Sequence, residues 1–203
     1  FEIYDGIKFH NGRKVTAEDV KFSLEYVVDA DAASALAVYF ECLDNVEVTG
    51  ELTGKIHLNK VYAPFLNKLT RVPIIPSESV DTLKTAPVGC GPFKFVKWNK
   101  DQSIEYEKFD DYWREGYPKM DGLVFKIMKE YNTIYSSFMA KELDILFWAA
   151  AKDAKQLEDT SGVYVHEQEL ADAFVVICNT LVKPFDEPRV RKAVALALDK
   201  QQC

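Results

Sequence analysis

The stretch from Phe9 to Leu24, FHNGRKVTAEDVKFSL, leaves the chain the least freedom. Ile7 and Phe9 alternate with Lys8 and His10 as in a half-buried strand, and Asn11-Gly12 is a dipeptide that tolerates the positive φ of a tight reversal. Thr16 stands where an N-cap hydroxyl belongs. Glu18 and Asp19 follow in the first turn, where negative charge complements the helix dipole, so a helix beginning at Ala17 is predicted. Ala17, Val20, Leu24, Val27 and Val28 form its apolar stripe, with Phe22 and Tyr26 on the opposite side, and both faces are expected to be covered. In this reading these residues build fold rather than chemistry.

Downstream, an alanine-rich segment from Asp29 to Phe40 carries Asp29, Asp31 and Ser34 as local caps. Val46 and Val48 are expected to face Ile56 and Leu58 in a hairpin whose turn region holds Gly50 and Gly54. A short helix starts with Pro64 at N1, and Leu69 continues its apolar side. Pro73 and Pro76 then force Ile74 and Ile75 to be extended, and Ser77 to Lys84 reads as a surface segment. Two glycines and two prolines between Pro87 and Pro92 exclude any regular element. Phe93, Phe95 and Trp98 resume as a strand that pairs with Ile104 and Tyr106 across a turn at 99–102. A loop from Asp110 to Pro118 and a strand over Leu123, Phe125 and Ile127 follow. Tyr131, Ile134, Tyr135, Phe138 and Met139 make the stripe of a helix opened by Asn132-Thr133. Strands are expected at Ile145 to Trp148, at Val163 and Val165, and at Phe174 to Cys178. A last helix starts at Pro188, its stripe Val190, Ala193, Val194, Ala197 and Leu198.

With 48% hydrophobic and 28% charged residues, 203 residues suffice for one sizeable core or a pair of small lobes. Lys and Arg total 25 against 32 Asp and Glu, and a net charge of −7 without a basic cluster argues against a nucleic-acid partner. Cys42, Cys90, Cys178 and Cys203 form no C-x-x-C pair. They read as buried thiols, or as including one disulfide if the protein is exported. No apolar run approaches the roughly 18 residues of a membrane span, and no signal peptide is visible. Beginning at Phe1 in mid-strand, the chain reads as a piece of something longer.

Several of these segments together resemble the family 5 extracellular solute-binding proteins of peptide- and nickel-type ABC importers. The family pattern F-x-[DN]-G followed by T-A-x-D-V-x-F-S is met by Phe9, Asn11, Gly12, Thr16, Ala17, Asp19, Val20, Phe22 and Ser23. P-V-G-T-G-P-[YF] appears at Pro87 to Phe93 with Cys90 in place of Thr, which removes a hydroxyl. A Y-W motif follows at Tyr112-Trp113. G-E-L-D-I appears at Glu142 to Ile145 with Lys141 where Gly is usual. P-F-x-D-x-R-V-R-x-A appears from Pro184 to Ala193 with one residue fewer before the first Arg. The resemblance spans essentially the whole chain, but only the middle of a full-length relative.

An α/β fold with mixed sheets is implied, as part of a two-lobed periplasmic-binding-protein-like molecule of the type II, peptide-binding cluster. Residues 1–86 would form the smaller added domain, 87–172 the middle part of the first main lobe, and 173–203 the start of the second. The implied function is capture of oligopeptides or dipeptides outside the cytoplasm, in the periplasm or as a lipoprotein on the cell surface, for a membrane permease of an ABC transporter. The alternatives are a nickel- or oligosaccharide-binding member, or a sensory or interaction domain on the same scaffold. No cofactor is implied, and no acid, base, nucleophile or dinucleotide motif points to an enzyme. His10, His57 and His166 are too scattered for a metal site, and each is expected to face outward.

In two-lobed binding proteins the cleft lies where strands cross between lobes, which by resemblance falls near Pro87 to Phe93 and near Ile145 to Asn179. The ligand-contact candidates are therefore Tyr39, Phe40, Cys90, Phe147, Trp148 and Asn179. Each has a plain structural reading beside the functional one: core packing for Phe147 and Trp148, a helix cap for Tyr39, the start of a turn for Asn179. The acidic residue that meets a peptide's terminal amine in relatives belongs to a part outside this chain.

Overall fold

A computed structural model describes residues 1–168 and 175–198, which fall into two compact units, Phe1–Leu146 and Phe147–Cys203. In the first unit the reversal forms as the sequence requires. Gly12 adopts φ 87°, its N–H donates to the Phe9 carbonyl at 2.8 Å, and Asn11 Oδ1 accepts from the Arg13 N–H at 3.0 Å. The strand expected around Ile7 and Phe9 shrinks to an isolated bridge between Lys8 and Lys14, because the chain turns back at once and leaves room for few rungs. Phe9 is nevertheless fully buried.

Helix α1 (Ala17–Val28) starts where the N-cap predicts. Both the N–H and the hydroxyl of Thr16 donate to Asp19 Oδ2, at 2.8 and 3.0 Å. Leu24 and Val27 point into a core shared with Phe40, Cys42, Val46 and Phe65, with Val20 at its edge. Val28 does not join them. It is exposed at the last helical position, where the backbone becomes extended at Asp29. On the opposite side Phe22 and Tyr26 stack at 5.8 Å between ring centres and are half-buried.

Strands β1 (Leu43–Gly50) and β2 (Thr53–Leu58) form an antiparallel hairpin that lays Val46 on the core. Val46 pairs with Ile56 as expected, but irregularities in the ladder place Gly54 opposite Val48 and Leu58 opposite Leu43. Gly54 is thus a strand residue rather than part of the turn. A Cβ there would lie 2.5 Å from the Phe1 ring and 2.9 Å from the Glu47 carbonyl oxygen. Helix α2 (Phe65–Leu69) has Pro64 at its N-cap, one position earlier than expected, and drives Phe65 edge-on against Phe40 at 5.9 Å. Residues Ser77–Thr82 wind into a 3₁₀ helix.

A second antiparallel sheet has the order β3 (Phe93–Asn99), β4 (Ser103–Lys108), β5 (Gly122–Lys126). Phe95 pairs with Tyr106 and Trp98 with Ile104, and Tyr106 in turn pairs with Leu123. Helix α3 (Tyr131–Met139) follows, its stripe half-buried. Its end resolves the question raised by Lys141. That lysine takes φ 62° and donates its N–H to the Phe138 carbonyl, while the Glu142 N–H reaches the Ser137 carbonyl, both at 2.9 Å. This is the paired helix stop that glycine usually makes.

The expected strand at Ile145 to Trp148, which spans the boundary of the two units, is absent, and so is the one at Val163 and Val165 in the second unit. Residues 163–166 do keep a two-residue burial alternation, with Val163 and Val165 half-buried and Tyr164 and His166 exposed. They lack a partner strand among the described residues, and a strand is defined by its ladder. Residues 175–178 are likewise unpaired, and Phe174 lies outside the described residues. Helix α4 (Ala151–Glu158) was not anticipated, although AKDAKQLE is made largely of good helix formers, and it buries Leu157. Helix α5 (Pro188–Ala197) begins at its proline, with Val190 and Val194 half-buried. The Arg191 guanidinium donates to the carbonyls of Phe185 and Asp186 at 2.6 and 3.1 Å. Among the described residues, no helix is long and apolar enough to cross a membrane.

Candidate ligand-binding site

Ser23 is nearly inaccessible on α1, and its hydroxyl does two jobs. It donates to the Asp19 carbonyl at 2.7 Å and accepts the Ile75 N–H at 2.9 Å. The extended Pro73 to Pro76 run is thereby strapped to the helix. On the other side of the reversal, Arg13 donates to Asp19 Oδ2 at 3.0 Å and to Glu78 Oε1 at 2.7 Å, fixing the 3₁₀ helix to the start of α1. These bonds, Asp19 foremost, hold the Arg13 proton far more firmly than an ordinary arginine does, and Arg13 in turn keeps the Glu78 carboxyl below its usual range. The motif residues Thr16, Asp19 and Ser23 are thus accounted for as staples.

What they staple is the wall of a cavity of about 450 Å³. Tyr26 and Val27 of α1, Leu36, Ile74 and Ile75 of the proline run, Val88 of the glycine loop, and Phe93, Phe95 and Tyr106 of the second sheet give it a mainly hydrocarbon and aromatic lining. Ser34, Tyr26 and His10 are among its few residues with polar side-chain groups. Apolar walls with few polar groups suit an apolar ligand moiety oriented by one or two hydrogen bonds.

His10 does not face solvent as expected. Its backbone N–H donates to the Gly89 carbonyl at 2.8 Å, its ring bonds to the same loop, and Phe109 packs edge-on against it at 5.0 Å. Burial lowers its pKa, opposed by the hydrogen bond to Gly91, while the Lys94 charge lowers it further. His57 does face outward, its Nε2 3.1 Å from Glu47 Oε2.

The six contact candidates are placed unequally. Tyr39 lies in a short 3₁₀ turn (Ala37–Tyr39), partly exposed, with Lys68 Nζ 4.3 Å from its ring centre. Phe40 is 0% exposed, and the first core fully occupies its ring. Cys90 is half-buried in the glycine loop next to the cavity wall, and desolvation pushes its thiol pKa up, which disfavours the reactive thiolate. Phe147 and Trp148, in the second unit, are 92% and 67% exposed, so neither plays the core role that was the alternative for them. Asn179 is exposed, and its Oδ1 accepts the Leu181 N–H at 3.0 Å, as at the start of a turn. Sequence reasoning missed the lining of the cavity, although the paired prolines around Ile74 and Ile75 and the adjacent glycine loop were its visible signal. Cys42, Cys90 and Cys178 are free thiols, and Cys203 lies outside the described residues.

The whole chain, residues 1–203, matches the family model described as bacterial extracellular solute-binding proteins, family 5, middle. A glutathione-binding protein of Pectobacterium atrosepticum is 30% identical over 98% of the chain and 40% of its own length. The oligopeptide-binding protein AppA of Bacillus subtilis is 30% identical over 98% of the chain and 39% of its own length. Among solved structures, the binding protein MoaA of A. tumefacien R10, in complex with mannopinic acid, superposes with a TM-score of 0.89 at 26% identity, covering all of this chain and 42% of that one. The fold is therefore the α/β fold of the periplasmic binding proteins, and the chain belongs to family 5 of the bacterial extracellular solute-binding proteins. It spans about 40% of the length of the curated relatives it matches.

Proposed function

We propose that this chain is part of the extracytoplasmic solute-binding component of an ABC importer, and that the solute is a di- or oligopeptide handed to a membrane permease. One observation carries the reading: family 5 membership over all 203 residues, with an oligopeptide-binding and a glutathione-binding relative at 30% identity. Glutathione is itself a tripeptide, so two relatives share a peptidic ligand class. Tyr39, Cys90, Phe147, Trp148 and Asn179 remain the proposed contacts, and the apolar cavity beside the glycine loop is a further one. It would take an apolar group of the solute. Residues 1–86 would be the family's added domain, 87–172 the middle part of the first main lobe and 173–203 the start of the second, with the protein located in the periplasm or lipid-anchored at the cell surface. Because a ligand that binds only the folded state raises the unfolding midpoint, thermal unfolding against di- to pentapeptides, mannopinic acid, simple sugars and Ni²⁺ tests the ligand class. A shift with peptides alone supports the proposal. A shift only with mannopinic acid, a sugar or Ni²⁺ overturns the peptide, and no shift at all moves weight to a sensory role.

A further inference from the structure

His10 grips the glycine loop through both ring nitrogens. Nε2 lies 3.0 Å from the Gly91 carbonyl oxygen and Nδ1 lies 3.3 Å from the Gly89 amide nitrogen. A carbonyl can only accept, so Nε2 carries the hydrogen. An amide N–H can only donate, so Nδ1 must present its lone pair. The neutral Nε2–H tautomer is the one form of imidazole that satisfies both. Adding a proton to Nδ1 sets two donors against each other at Gly89, while the bond to Gly91 survives. Gly89 and its neighbours Pro87 and Val88 are cavity wall, and so is His10.

We infer that His10 is a positioning residue for the apolar cavity: its neutral ring holds the glycine loop, whose Pro87 to Gly89 segment is cavity wall, and its protonation breaks the hold on the Gly89 N–H, leaving Gly89 tied through its carbonyl to the His10 backbone N–H alone. The surroundings favour the neutral ring. Lys94 on β3 contributes a repelling positive charge, tempered by its own ion pair with Glu107 at 2.8 Å and by Asp110 nearby. From the loop the neighbour is Cys90, a neutral thiol, and the titratable residues that line the same cavity are Tyr26 and Tyr106. On the reversal that carries His10, Lys8 is engaged with Asp111, and Arg13 with Asp19 and Glu78. Among the described residues none of these carboxylates bonds to the His10 ring, so none compensates an imidazolium there. Weaker solute capture in acid would follow if the cavity is a ligand site; loss of the Gly89 N–H bond does not depend on that.

The test needs no ligand, so its failure is distinct from a failure of the peptide reading. In ¹⁵N-labelled protein followed by NMR from pH 7.5 to 4.5, the His10 ring should show a protonated Nε2 and a bare Nδ1 at neutral pH. The Gly89 amide resonance should then move in step with the ring, with a midpoint below 6.5. In His10→Asn, Oδ1 takes the place of Nδ1 and accepts from Gly89 without titrating. The Gly89 resonance should stay dispersed and become flat across the same range. A wild-type Gly89 resonance that stays still while His10 titrates, or a ring protonated on Nδ1 at neutral pH, overturns the inference, and neither result relies on a variant.

Discussion

Replacing Phe40 with alanine removes a ring that is wholly enclosed by Leu24, Val27, Val46 and Phe65. Such a truncation costs about 3–5 kcal/mol, which a urea midpoint should report as a large drop. Asp19→Ala deletes the acceptor for Thr16 and one carboxylate of the Arg13 clasp, and about 2 kcal/mol is expected. Glu78→Gln, at the exposed end of the same clasp, should change little. A Glu78 variant that proves the more damaging would contradict the assignment of Asp19 as the staple. His10 adds a pH dependence whose sign is fixed. Its folded pKa lies below the ordinary 6.5, so the folded state binds fewer protons in that range. Its contribution to stability is complete above 6.5 and lost as pH falls through the lowered value, and His10→Asn should flatten that part of the stability curve. Thr16 and Asp19 were legible in the sequence because a capping box spans four residues. The role of His10 was not, since it depends on a loop 79 residues away.

Helix stops and tight strand crossings are where elements carry their own tests. Lys141 holds a left-handed conformation that costs a side-chain-bearing residue about 1 kcal/mol, so Lys141→Gly should stabilise the protein by about that amount. At Gly122 an added Cβ would lie 2.9 Å from the Tyr106 carbonyl oxygen, a backbone atom that cannot swing aside. Gly122→Ala is therefore expected to cost about 1–3 kcal/mol and to raise amide exchange along β4 and β5 first. Alternation and turn residues revealed both hairpins, with Phe93, Phe95 and Trp98 on one strand of the second and Ile104 and Tyr106 on its partner. The same alternation misled at Val163 to Val165, while at Ile145 to Trp148 four apolar residues in a row after the helix suggest a strand that does not form. A period of two reports extended chain with one side half-buried, and it cannot say whether a second strand lies alongside. Helix α4 was overlooked because its helical signal is propensity with a single buried residue, Leu157, rather than an apolar stripe.

For the molecule as a whole, the family was readable because its signature residues are those that build the fold: the capped helix, the glycine loop and the Arg191 helix start. Those residues are largely consumed by structure. Ser23 straps the proline run, and Asp19 holds the Thr16 cap. In the proposed reading an apolar group of the solute enters the cavity, and the lining of that cavity is gathered from segments between residues 10 and 106, which no local pattern joins. Ligand class is thus the central claim, and isothermal titration calorimetry of the protein with alanine- and leucine-containing di- to pentapeptides is its most direct test. The account predicts saturable binding with a negative heat-capacity change, larger for leucine than for alanine as apolar surface enters the cavity. Saturable heat with mannopinic acid or a metal chelate, and none with any peptide, would contradict it.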